Sequence, residues 1–185
     1  MTGCIMARES RTKYAVLGLL NLGPKCGYDI KKELEQSSMF FWNESYGQIY
    51  PMLKKLVSTK LATLEVVERD DQPDMKVYTI TPLGQQELER WLKKPADVYP
   101  VRNEMLLKLF FGESVDRFNN VEHIERLSQS LMQQAEEFKH QRELIDGAEA
   151  SSLYLSLTLR YGELVNDAVR QWCKEAQQAL DEGEE

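Results

Sequence analysis

Residues 45–62 read SYGQIYPMLKKLVSTKLA, and the reading of this stretch decides the fold. Its spacing is helical, yet Gly47 and Pro51 fall within the first two turns. An interior proline removes a backbone donor, clashes with the carbonyl four residues back and costs about 3 kcal/mol. On a helical wheel of about 100° per residue, Ile49, Leu53, Leu56 and Val57 fall on one side, with Tyr46 and Tyr50 at its edge. Gly47, Gln48, Pro51, Lys54, Lys55 and Ser58 fall opposite. Both breakers thus belong to an exposed face that is bare for two turns and then carries lysines. Ser45 followed three residues on by Gln48 fits a capping box and places the start of the helix at Ser45. A thin N-terminus lets a partner press close to free backbone N–H groups, which favour anions such as phosphate. Taken alone, the stretch also fits a surface helix of poor propensity, and the flanking segments decide between the two.

Upstream, TKYAVLGLLNL (12–22) is apolar nearly all round and reads as a buried helix. GPKCG (23–27) reads as a turn. YDIKKELEQS (28–37) places Ile30 and Leu34 one turn apart among charges, a short amphipathic helix, and SMFFWNE (38–44) is an aromatic connector. Downstream, TLEVVER (63–69) and KVYTIT (76–81) are β-branched or alternating and flank the polar DDQPD, which predicts a β-hairpin. Thr81 and Pro82 suit the N-cap and first residue of a helix carrying Leu88, Trp91 and Leu92 on one side. Three helices followed by a hairpin form the winged helix-turn-helix plan, whose third helix enters the major groove while the hairpin tip, the wing, reaches an adjacent groove or the backbone. Side-chain bulk is then missing where that third helix would approach a duplex.

PADVYP (95–100) reads as a linker, which divides the chain into residues 1–95 and 96–185. Beyond it strand signals vanish. VRNEMLLKLFFG (101–112) is a short apolar helix. Ile124, Leu127, Leu131, Ala135, Phe138 and Ile145 repeat near a heptad seam. Tyr161, Leu164, Val165, Ala168, Val169, Trp172, Ala176 and Leu180 form a broad stripe on a second long helix. A two-helix hairpin cannot bury both faces alone, so a partner subunit on the Tyr161–Leu180 stripe is the economical expectation. The expected fold is mainly α with a small β-hairpin: a winged helix-turn-helix domain followed by an antiparallel helix pair for dimerisation.

Composition narrows the function classes. The chain has 185 residues, 42% hydrophobic and 29% charged, and its apolar runs are too short to span a membrane. The N-terminus lacks the long apolar core of a signal peptide. Cys4, Cys26 and Cys173 are widely spaced and odd in number, which suits neither a metal site nor a disulfide framework and points to a reducing cytoplasm. The net charge of −7 is uneven. Residues 1–95 carry 14 Lys and Arg against 12 Asp and Glu, a balance of +2, and residues 96–185 carry 9 against 18, a balance of −9. A nucleic-acid face needs local positive charge only. The two histidines, His123 and His140, lie on a charged helix, and Glu136 with His140 reads as a solvated face rather than a metal site. No catalytic triad order, P-loop or dinucleotide fingerprint is present. Cys26, at a helix start, reads as a small buried residue. No enzyme activity, cofactor or metal is expected.

Residues 14–94 resemble the PadR family of bacterial transcriptional regulators, on YAVLGLL (14–20), GYDI (27–30), GQIYPMLKKLVSTKLA (47–62) and KVYTITPLGQQELERWL (76–92). VRNEMLLKLFF (101–111) and LTLRYGELVNDAVRQW (157–172) are similar to the virulence-activator type of C-terminal domain in that family. The resemblance implies a homodimer binding palindromic double-stranded operator DNA, often as a repressor, with DNA released in some members by a small aromatic or phenolic effector. It carries DNA-contact roles to Tyr14 on the first helix and to Ser45, Tyr46, Gly47, Gln48, Tyr50 and Pro51 at the start of the reading helix. Tyr28 matches a tyrosine on the second helix, with core packing as its alternative role. Gln48 suits an adenine edge, and Lys54, Lys55 and Lys60 suit phosphate contacts, which position without reading sequence. The wing tip RDDQPDMK departs from a basic wing by its three aspartates and leaves Arg69 and Lys76 to make any contact. An effector is expected where the two domains meet, among Phe40, Phe41, Trp42, Glu104, Lys108, Phe110 and Phe111, although Glu104 and Lys108 also fit a simple i, i+4 ion pair. A protein-binding module that keeps the winged-helix fold is the rival expectation, favoured by the acidic balance and acidic wing.

Overall fold

The computed structural model describes residues 11–37, 46–68, 74–96, 102–147 and 153–182. They belong to two compact units, Met1–Val98 and Tyr99–Glu185.

In the first unit α1 (Arg11–Asn21) is followed by a two-residue strand β1 (Lys25–Cys26), α2 (Gly27–Ser37), a 3-10 turn (Tyr46–Gln48), α3 (Ile49–Ser58), β2 (Ala62–Val67), β3 (Met75–Ile80) and α4 (Pro82–Leu92). α1 is the hub. Val16, Leu17 and Leu20 are buried with Ile30 of α2, Ile49, Met52, Leu53 and Leu56 of α3, Ala62, Tyr78 and Leu88. Such residues stabilise by about 1.5–3 kcal/mol each when fully buried. β2 and β3 pair antiparallel from Ala62↔Ile80 to Val67↔Met75. The sequence suggested a two-stranded hairpin, but the sheet has three strands in the order β1-β3-β2. GPKCG is more than a turn: Lys25 pairs with Tyr78 and Cys26 with Val77. A two-residue strand carries no alternation, so nothing in the sequence distinguished it from a turn.

Thr81 caps α4 as its position predicts, its hydroxyl accepting from Gly84 N–H at 3.1 Å and donating to Lys60 carbonyl at 2.7 Å. The second bond ties the start of α4 to the loop after α3. Gly84 permits this approach, since a Cβ there would lie 2.2 Å from the Leu61 carbonyl oxygen.

α1 and α4 are joined by a polar cluster. Tyr14 is 2% exposed; its ring stacks on Trp91 with centroids 4.5 Å apart, and its hydroxyl donates to Glu87 at 3.1 Å. Lys13 donates to the same carboxylate at 2.6 Å, and Arg90 pairs with its other oxygen. Tyr14 is thus a core residue, which overturns its expected place among DNA contacts: a side chain enclosed by α1, α3 and α4 packing has no surface to offer. Cys26 is half-buried, its thiol donating to Asp29 at 2.9 Å.

In the second unit α5 (Glu104–Phe110) leads through a 3-10 turn to α6 (Arg117–Asp146) and α7 (Leu153–Glu182), a long helical pair. Asn103 caps α5 by accepting from Leu106 N–H. Buried Asn120 donates to the Gly112 carbonyl at 2.9 Å and fixes the turn into α6. α6 and α7 face each other through Ile124, Phe138 and Ile145 on one side and Leu159, Gly162, Asn166 and Cys173 on the other. Asn166 donates to the Leu131 carbonyl and to Gln134, both at 3.0 Å. Arg142 pairs with Glu163 at 2.9 Å near one end, and Arg117 lies 3.9 Å from Asp181 near the other.

The Glu87 cluster generates a pH prediction. The hydrogen bond from Lys13 holds the Glu87 carboxyl below its ordinary value of 4.5, with burial opposing and Tyr14 and Arg90 assisting. The folded state therefore favours the ionised form, so this stability is present above about pH 4.5 and is lost as pH falls through the lowered value. Glu87→Gln should cost about 1–3 kcal/mol at pH 7. Urea melts should show its deficit against wild type shrinking as pH falls below 4.5.

Candidate nucleic-acid interface

α3 begins at Ile49, directly after the 3-10 turn Tyr46–Gln48. This resolves the apparent defect of its sequence. Pro51 is then the third residue of the helix, where backbone N–H groups have no intrahelical partner to lose. Ser45 lies outside the described residues, as do Phe40, Phe41, Trp42 and Arg69, and nothing is described of the Tyr46 side chain. Gln48 occupies the N-cap of α3, and its side chain makes no capping bond to this helix.

The two faces of α3 separate as the wheel predicts, with Met52 added to the buried set. Gly47, Gln48, Tyr50, Pro51, Lys54, Lys55 and Ser58 are all exposed. Among the described residues, a Cβ at Gly47 would meet nothing within 4 Å. Nothing in the described residues therefore requires a glycine there. Tyr50 is 52% exposed yet anchored, for its ring lies where a Cβ on Gly27 would fall, 2.7 Å away. Burial, with a smaller contribution from Tyr50, pushes the phenol of Tyr78 upward. Tyr28 is 63% exposed, so core packing is not its role.

The positive charge of this unit is partitioned. Lys13, Lys25, Arg90 and Lys93 are all paired with carboxylates. Lys54 and Lys55 on α3, Lys60 in the following loop and Lys76 on β3 are exposed and, among the described residues, have no carboxylate partner. Lys60 also holds φ at 61°, the left-handed region that side chains with a Cβ disfavour. Position 60 thus keeps a cation where glycine would be the easier residue.

In the second unit the expected stripe divides. Tyr161, Leu164, Val165 and Ala168 are exposed, whereas Val169, Trp172 and Leu180 are half-buried. The exposed set continues toward the N-terminus of α7 as Leu153, Tyr154 and Leu157, opposite the face that carries Leu159, Gly162, Asn166 and Cys173. The expected effector group also divides. Phe110 and Phe111 pack edge to face at 5.0 Å and both are exposed, α5 having no fully buried residue. Glu104 and Lys108 form an ion pair at 3.0 Å. They do border an open cleft of about 360 Å³, with Met105, His123, Arg126 and Leu127. The sequence did not group His123, Arg126 and Leu127 with this cleft, because they come from a turn of α6 that no local pattern links to α5.

The first unit is a winged helix-turn-helix domain, its third helix bare at the start and basic beyond. Residues 16–90 match the transcriptional regulator PadR-like family, and residues 101–181 match the virulence activator alpha C-term domain. The chain belongs to the PadR-like family of transcriptional regulators and carries a virulence-activator-type C-terminal domain. It is 37% identical over 106 residues to the negative transcriptional regulator PadR of Bacillus subtilis (strain 168), covering 57% of this chain and 58% of that protein. It is 30% identical over 82 residues to the probable transcriptional regulator Rv1176c of Mycobacterium tuberculosis (strain ATCC 25618 / H37Rv), covering 43% of that protein. The chain thus spans about half the length of these curated relatives. Among solved structures, smu.1604c from Streptococcus mutans UA159 superposes with a TM-score of 0.83 at 26% identity, covering 89% of this chain and 96% of that one. Bacillus subtilis PadR in complex with operator DNA gives 0.80 at 26% identity, covering 92% and 99%. The same protein in complex with p-coumaric acid gives 0.71 at 26%, covering 95% and 99%. No helix among the described residues is long and apolar enough to cross a membrane.

Three substitutions separate charge from backbone conformation at this face. Lys60→Gly should raise stability by about 1 kcal/mol by relieving the left-handed residue, while removing one cation. Lys54→Ala and Lys55→Ala should leave the melting temperature within about 2 °C of wild type, both side chains being exposed and without a carboxylate partner among the described residues.

Proposed function

We propose that the protein is a DNA-binding transcriptional repressor that reads an operator through α3 as a homodimer. The observation that carries this reading is the exposed face of α3. It has no side-chain bulk at Gly47, where among the described residues nothing would meet a Cβ, and it leads into lysines that have no carboxylate partner among those residues. Bulk excluded without an internal reason implies an external surface that comes close. Unpaired cations imply that this surface is anionic. Bacillus subtilis PadR, solved with operator DNA, supports duplex DNA as that surface. Lys54, Lys55, Lys60 and Lys76 are assigned to phosphates, Gly47 and Pro51 to close approach, Gln48 and Tyr50 to the groove.

The homodimer is assigned to the exposed face of α7 around Tyr161, Leu164, Val165 and Ala168. Seven apolar or small residues on one helical face opposite the α6 contact are more than a monomer ordinarily leaves to water. The complex of PadR with p-coumaric acid supports a small aromatic acid as effector. The α5–α6 cleft suits one, with Met105 and Leu127 for its ring beside the polar groups of Glu104, Lys108, His123 and Arg126.

The test is duplex binding as a function of salt. Each phosphate neutralised contributes about 0.9 to the slope of log affinity against log salt. Lys54→Ala and Lys55→Ala should each flatten that slope by about one unit, alike for selected and random duplexes. Gly47→Leu should melt no lower than wild type yet lose operator affinity. Absence of duplex binding at low salt would favour the protein-binding module instead. For the dimer, Leu164→Asp alters a side chain that is half exposed in the single chain, so the protomer should stay folded. Sedimentation should find monomer at micromolar concentration, with operator affinity reduced; a folded dimer would remove this face from the interface.

A further inference from the structure

Thr12, on the first turn of α1, is 1% exposed, so its hydroxyl cannot turn to water. It lies 3.4 Å from Oε1 of Gln48. An amide oxygen only accepts, so the hydroxyl is the donor. Among the described residues this is the contact that orients the Gln48 side chain, which is otherwise exposed and caps nothing in α3. The glutamine is therefore held with its oxygen toward buried Thr12 and its Nε2, with two N–H donors, as the free end.

That orientation matters in the major groove. Adenine is read by glutamine through both ends of the amide at once, the oxygen accepting from N6 and the nitrogen donating to N7. An amide whose oxygen is turned to the protein interior cannot face the base with both ends. A donor-only end suits an acceptor-only edge, N7 and O6 of guanine. We propose that Thr12 is a specificity-determining residue of the operator-binding surface, which holds Gln48 so that it selects an acceptor-only base edge over adenine. This inference rests on the operator reading above and replaces the adenine contact that Gln48 suggests by residue type alone. Thr12 acts through Gln48 and touches no DNA itself, so it is a positioning residue.

The experiment is selection of bound sites from a random-sequence duplex library with the full-length protein, followed by affinity measurement on single-base variants of the selected site. Wild type should select a site in which one base-pair column loses definition in Gln48→Ala, and that column should be a G·C pair, whose guanine edge carries acceptors only. Thr12→Val, nearly isosteric but without the hydroxyl, should shift that column toward adenine, changing the ratio of the two affinities roughly tenfold. Thr12→Ser should retain the wild-type column. Affinity for random duplex and its salt slope should be the same in all variants, which a general loosening of α1 would not produce. Thr12→Ala serves in place of Thr12→Val if the latter melts early, since it too lacks the hydroxyl. A Gln48-dependent A·T column in wild type, or a Gln48-dependent column unchanged by both hydroxyl deletions, would overturn the role of Thr12. If Gln48→Ala alters no column, the inference fails and operator binding stands. If wild type selects no sequence at all, the operator reading fails with it.

Discussion

The burial of one face of α3 against α1 constrains everything else in the first unit. Ile49, Met52, Leu53 and Leu56 pack with Val16, Leu17 and Leu20, and four such side chains are worth several kcal/mol, a large share of the net stability of a small domain. That packing fixes the rotation of α3 about its axis, and rotation decides which residues face out. A helix docked on one side by large aliphatic groups has no freedom to present anything but Gly47, Gln48, Pro51, Lys54 and Lys55 on the other. The hairpin and α4 follow from the same placement. The loop after α3 supplies the Lys60 carbonyl to Thr81, and α4 closes on α1 through Tyr14, Trp91 and Glu87. The core therefore orients the exposed face as well as supporting it.

The backbone at the start of α3 is the second constraint. A proline in the third helical position and a glycine in the preceding 3-10 turn are poor choices for a helix that must stand alone. They are cheap here because those backbone donors have no intrahelical acceptor and because the rigid partner is α1. The stability lost in local propensity is offset by tertiary burial, the usual source of helix stability in proteins. What remains is a slender helix entry beside a glutamine whose oxygen is occupied from within. Bare backbone, an oriented amide and then cations follow one another along a single helical face, in the order that close approach, reading and anchoring would need.

Much of this was legible in the residues because it rests on local periodicity. The two faces of α3, the hairpin of β2 and β3 and the Thr81–Pro82 helix start all follow from spacings of two, three or four residues. The failures were of long range. Tyr14 resembled a surface tyrosine of a DNA-binding family, and only its stack on Trp91, from the far side of the hairpin, makes it core. The α7 stripe looked single, because a wheel cannot tell which part of a wide apolar arc α6 will cover. Gly162, Asn166 and Cys173 are small or polar and carried no hydrophobic signal, yet they form the covered side. Thr12 escaped notice altogether, since its contact with Gln48 spans 36 residues.

Net charge is a poor guide to this molecule. The chain carries −7 overall, which alone would argue against an anionic partner. In the first unit, Glu87 holds Lys13 and Arg90, Glu33 holds Lys25 and Glu89 holds Lys93. These carboxylates neutralise cations away from α3 and leave those on α3 untouched. In the second unit, Glu104, Glu122 and Glu163 are likewise engaged by Lys108, Arg126, Arg142 and Arg160. Exposed charges farther apart than about 10 Å scarcely feel one another at 0.1 M salt. What a duplex would meet is therefore the local balance within one screening length, and around α3 the lysines have no carboxylate partner among the described residues. An acidic protein can bind an acidic polymer when its ion pairs are arranged to leave one face out.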